Sequence, residues 1–89
     1  MADHPPADPA DPVEQLAANV KRVRAYRGLT QQAVADRGDL ALSDVGRIER
    51  GVRDPGIRVL FRVARGLSIQ PAALLPEVDW APEGDPSQD

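Results

Sequence analysis

Eighty-nine residues suffice for one small core and little more. With no cysteine, disulfides and thiolate metal sites are excluded, and no apolar run approaches the roughly 18 residues of a membrane-spanning helix. The net charge of −3 is unevenly laid out: all eleven Lys and Arg fall between Leu16 and Leu75 against five acids, a net of +6, while nine acids occupy the flanks. A basic centre between acidic ends is the electrostatic form that phosphate contact requires; it is equally the form of a solvated surface with solubilising tails.

Residues 1–12 hold four prolines and three aspartates and read as a disordered acidic arm, too poor in apolar groups to order itself. This start is neither basic nor greasy, unlike a signal peptide, so a cytoplasmic protein is expected. A first helix is predicted from about Val13 to Tyr26, with Leu16, Ala17, Val20 and Val23 on one stripe and Gly28 ending it. Thr30 is the expected N-cap of a second helix, Gln31–Arg37, carrying Ala33, Val34 and Ala35 and stopped by Gly38 in a left-handed conformation. A third spans Leu42–Arg50, with Val45 and Ile48 inward and Gly51 as its stop. Asp54-Pro55 opens a fourth, running to about Leu67, whose expected buried face is Ile57, Leu60, Phe61 and Ala64. Gln70-Pro71 opens a last short helix, Pro71–Leu75, closed by Pro76, and residues 81–89 read as a second disordered acidic tail. Hydrophobic residues are 42% of the chain but aromatics only 3%, so the core is aliphatic. With no strand candidate, the fold class is all-α, a compact five-helix domain over residues 13–80.

The run Gly28-Leu29-Thr30-Gln31-Gln32, then Arg47-Ile48-Glu49-Arg50-Gly51, then Asp54-Pro55, resembles the lambda-repressor/Cro-like, or XRE-type, helix-turn-helix family. The ordered set covers about Leu16 to Leu75, and it is similar to small standalone regulators such as restriction–modification controller proteins. The resemblance implies a transcriptional regulator that binds a palindromic operator in double-stranded DNA as a homodimer, with Leu42–Arg50 as recognition helix in the major groove. Leu42, Ser43, Asp44, Gly46 and Arg47 then match positions facing bases, and Gln31, Arg50 and Arg53 match positions facing phosphates. Arg47 is the strongest of these, since a guanidinium spans O6 and N7 of guanine. Arg24 and Glu49 match a structural ion pair. Apolar Leu74, Leu75, Val78 and Trp80 are the expected dimer interface.

Three positions depart from that pattern. Gly38-Asp39 stands where an apolar residue and then glycine are usual, Ala41 stands where Ser or Thr caps the recognition helix, and Gly46 lies inside it. Ser43 is an alternative cap, two residues later. Asp44, among groups meant to face phosphates, either accepts from cytosine N4 or repels the backbone.

Two other readings use the same fold: an antitoxin that represses its own operon while a tail occupies a toxin, and a protein-interaction module that dispenses with DNA. The partner would be a basic toxin or an anti-repressor. Against the first, the tails lack apolar anchors; against the second stands the clustered basic centre. Catalysis, metal binding, cofactors and small-molecule ligands are not expected, because the one histidine, His4, lies in the arm and no acids pair at ligand spacing on one face.

Overall fold

The computed structural model describes residues 11–76. Within them the chain forms α1 (Pro12–Tyr26), α2 (Gln31–Gly38), α3 (Leu42–Arg50), α4 (Gly56–Leu67) and a 3₁₀ turn (Pro71–Leu74), with no strand. The fold is therefore all-helical as expected, but with four α-helices rather than five. The segment Pro71–Leu75 makes only the 3₁₀ turn, because Pro71 and Pro76 bracket too few residues to establish an α-helical ladder.

Three of the four helix starts are fixed by a side chain. Asp11 caps α1 by accepting from the Val13 amide at 2.9 Å, so the helix begins at Pro12 and not at Val13. Thr30 caps α2 through Oγ1, which accepts from the Ala33 amide at 3.0 Å. α3 begins at Leu42 with Ala41 in the cap position and no side-chain cap, so Ser43 is a helical residue and not a substitute cap. Before α4, Asp54 Oδ1 accepts from the Gly56 amide at 3.0 Å, which places Pro55 ahead of the helix instead of inside it.

The core is aliphatic: Leu16 and Val20 from α1, Val34 and Ala35 from α2, Val45 and Ile48 from α3, and Leu60, Val63, Ala64 and Leu67 from α4. Leu74 of the 3₁₀ turn closes it, held by a 2.9 Å hydrogen bond from Asn19 Nδ2 to its carbonyl. Two expectations about this core fail. Ile57 and Phe61 are 65% and 55% exposed. α4 carries two apolar stripes, and the one that faces inward is Leu60, Val63, Ala64 and Leu67.

The second correction explains the first. Gly38 does not stop α2 in a left-handed turn; it is a buried helical residue. A Cβ there would lie 2.4 Å from the carbonyl oxygen of Arg62, and one on Gly66 would lie 2.5 Å from that of Val34. α2 and α4 thus meet backbone to backbone through two glycines, which fixes which side of α4 turns in. Asp39 takes the left-handed position instead, at φ +57°, and the Leu40 amide donates back to the Ala35 carbonyl at 2.8 Å. The glycine displaced by one position leaves the turn into α3 intact: the role has passed to aspartate, which tolerates this conformation better than most residues.

Candidate nucleic-acid interface

α2 and α3, joined by Asp39-Leu40-Ala41, form a helix-turn-helix in which the two faces of α3 have opposite characters. Val45, Ile48 and Glu49 point inward, while Leu42, Ser43, Arg47 and Arg50 are exposed. The i, i+3, i+4 spacing of Val45, Ile48 and Glu49 sets this rotation, because burying Val45 and Ile48 aims Ser43 and Arg47 outward.

Glu49 anchors the inner face. It is only 5% exposed, and its carboxylate receives a two-point hydrogen bond from Arg24: Nε donates to Oε2 and Nη2 donates to Oε1 at 3.0 Å. Arg24 Nη1 also donates to the Leu29 carbonyl at 2.9 Å, so one guanidinium joins α1, the loop before α2, and α3. The Arg24–Glu49 pair that the family resemblance implies is therefore present, and Gln31, the candidate phosphate contact, joins it as a third member. Gln31 Nε2 donates to Glu49 Oε1 at 3.0 Å. Burial pushes the Glu49 carboxyl up. The hydrogen bonds from Arg24 and Gln31, with the charges of Arg24 and Lys21, outweigh burial and hold it below its usual value. The same hydrogen bond raises Arg24 against its own partial burial.

The outer face is organised around Asp44. Its Oδ1 accepts from Arg47 Nη1 at 3.3 Å and lies 3.9 Å from Arg53 Nη2. This contact is neither acceptance from cytosine N4 nor repulsion of the backbone, and the i, i+3 spacing of Asp44 and Arg47 is its signal in the sequence. Leu42 is 46% exposed and lies on this surface, not in the core. Gly46 is buried: a Cβ there would meet Arg50 Nη1 at 3.1 Å and Gln31 Oε1 at 3.9 Å. It lies under those two side chains and presents little of itself to a ligand. Arg50 and Arg53 are exposed on either side of Gly51, whose left-handed conformation at φ +66° ends α3.

The residues expected at a dimer interface separate. Leu74 is fully buried in its own core, Leu75 is exposed, and Val78 and Trp80 lie outside the described residues. Ile57 and Phe61, expected inside but exposed, are near neighbours: Ile57 shares one surface groove with Leu75 and Pro76 and another with Phe61.

A short helix pinned from behind by a buried ion pair, with arginines on its outer face and a three-residue turn to a supporting helix, defines a helix-turn-helix protein. The helix-turn-helix family model matches residues 20–74. The chain belongs to the XRE-type helix-turn-helix family. It is similar to the uncharacterized HTH-type transcriptional regulator y4dJ of Sinorhizobium fredii, with 30% identity over 69 residues covering 78% of this chain and 90% of that protein. Among solved structures it is similar to the restriction-modification controller protein C.AhdI from Aeromonas hydrophila, at TM-score 0.66 and 29% identity over 70% of this chain and 94% of the other. An HTH_3 family transcriptional regulator from Vibrio cholerae superimposes at TM-score 0.67 and 34% identity, covering 70% of this chain and 35% of the larger protein. Among the described residues no helix is long and apolar enough to cross a membrane.

Proposed function

We propose that this protein is a sequence-specific, DNA-binding transcriptional regulator that inserts α3 into the major groove of a palindromic operator as a homodimer. The observation that carries the reading is the outer face of α3, where Ser43 and Arg47 are exposed on a helix that Glu49 holds rigidly from behind. Arg47 reads guanine through O6 and N7, a pairing worth about 1–3 kcal/mol of discrimination, while Ser43 and Leu42 approach neighbouring base edges. Arg50 and Arg53 meet phosphates on either side, fixing register and supplying salt-dependent affinity without reading sequence. Gln31, committed by its amide nitrogen to Glu49, supports this surface from the N-terminus of α2.

One helix of nine residues reads few base pairs, so a second copy is needed to define an operator. The proposed dimer surface is the exposed apolar strip of Ile57, Phe61 and Leu75. Ile57 and Leu75 line one groove together with Pro76, so the strip is continuous there.

Selection of random duplexes by the purified protein tests both parts. Enrichment of a palindrome with half-sites about 34 Å apart is expected. No enriched motif at low salt would overturn the DNA-binding reading, and an enriched single half-site bound by a monomer would overturn the dimer. Phe61→Ser should leave the fold intact and shift sedimentation toward the monomer.

A further inference from the structure

We propose that Asp44 is a specificity-determining residue: its carboxylate withholds Arg47 from phosphates and leaves it fit to read a base. This deepens the DNA-binding reading above and rests on it.

The geometry shows an acid where a surface built only for affinity would have none. Asp44 is the one carboxylate on the outer side of α3, and both arginines within its reach, at 3.3 and 3.9 Å, belong to the proposed DNA surface. All three side chains are partly exposed, at 29% for Asp44, 46% for Arg47 and 55% for Arg53, so the arrangement is accessible and exchangeable. An interior ion pair would have no such freedom.

Consider what a random duplex offers. A phosphate that draws Arg47 away exchanges one anionic partner for another, so the exchange gains little. It also strands the Asp44 carboxylate close to the polyanion, where like charges repel. A guanine in the correct place offers something different. Asp44 engages Arg47 through Nη1 alone, and a guanidinium carries five donors in a planar fork. The edge formed by Nε and Nη2 can therefore donate to O6 and N7 while the carboxylate stays in place. Base reading leaves the ion pair intact, and phosphate binding breaks it. The acid thus lowers affinity for DNA in general more than affinity for the correct sequence.

The test uses the full chain as wild type, Asp44→Asn, Arg47→Ala and the double variant, titrated against a random-sequence duplex and against the selected motif over a salt series. Asp44→Asn should tighten binding to the random duplex roughly five- to tenfold and steepen its log–log salt slope by about 0.9 for each phosphate newly neutralised. Affinity for the motif should stay level or fall, so the specificity ratio drops. The effect should shrink in the Arg47→Ala background, since the two residues act as a unit. Asp36→Asn, which removes an exposed acid from α2, should change none of these quantities. Equal tightening on both duplexes overturns the proposal, because Asp44 would then be only a local negative charge; so does no tightening at all. Asp44→Ser gives the same readout from a different side chain, with helical circular dichroism confirming that both variants fold. If the wild type binds neither duplex at low salt, the DNA-binding reading fails first; if it binds and the Asp44→Asn ratio is unchanged, only the role of Asp44 fails.

Discussion

α3 carries two arginine–carboxylate groupings, one on each face, built from the same chemistry with opposite consequences. On the inner face Arg24, Gln31 and Glu49 are locked by a two-point contact and a supporting amide, with the Glu49 side chain at 3% exposure. On the outer face Asp44 meets two arginines at longer range, each through one nitrogen and all in contact with solvent. Water makes the difference. A pair removed from it cannot lose one member without leaving a bare buried charge, whereas a pair bathed in it can open at small cost. The inner grouping is architecture; the outer one is available for exchange with a ligand.

The largest effect should come from breaking the inner grouping. Arg24→Ala should cost about 3–5 kcal/mol in urea denaturation. It should cost more than Glu49→Ala, because Arg24 retains 22% side-chain exposure and is the easier of the two to hydrate alone. Equal losses would mean that both ends are equally desolvated, contrary to their exposures.

Acid titration gives the next test. The Glu49 carboxyl sits below its unfolded value of about 4.3, so its contribution is complete above that value. That contribution fades as pH falls through the folded pKa, because the unfolded chain then binds the proton first. Wild type should lose stability over this acid range, and Arg24→Ala should lose less of it. Gln31→Ala removes one hydrogen bond to a charged group and should cost about 1.5–3 kcal/mol. An effect on DNA binding without any on stability would return Gln31 to the phosphate role that the sequence suggested.

The smallest effects on folding should come from the outer grouping. Arg47→Ala and Arg53→Ala should each change stability by no more than about 0.5 kcal/mol. In binding they should differ: Arg47→Ala relaxes one base position, and Arg53→Ala weakens all sequences alike. An unchanged selected motif for Arg47→Ala would remove it from base reading.

The sequence was most informative where a local rule decides the outcome. Thr30 as cap and Gly51 as stop bound α2 and α3 to within a residue, and Val45 and Ile48 set the inner face. The Arg24–Glu49 pair, 25 residues apart, was legible only through resemblance to a family. Errors arose where a distant backbone decides. Nothing local says that Gly38 packs against the carbonyl of Arg62, and without that crossing the stripe of Ile57 and Phe61 is as good an inner face for α4 as the one that prevails. The fifth helix failed for a different reason, since two prolines so close together leave no room for a regular ladder. The outer ion pair is legible in the three-residue spacing of Asp44 and Arg47, a local signal that concerns Arg47 and not DNA.

The division of α3 into a fastened side and an open side separates what seats the helix from what it presents. Positions 42, 43, 44 and 47 can be rewritten while Val45, Ile48 and Glu49 keep the cylinder seated, so under the proposed DNA-binding role new sequence preferences are open to a library confined to four codons. The scaffold's melting temperature should barely register which letters such a library installs.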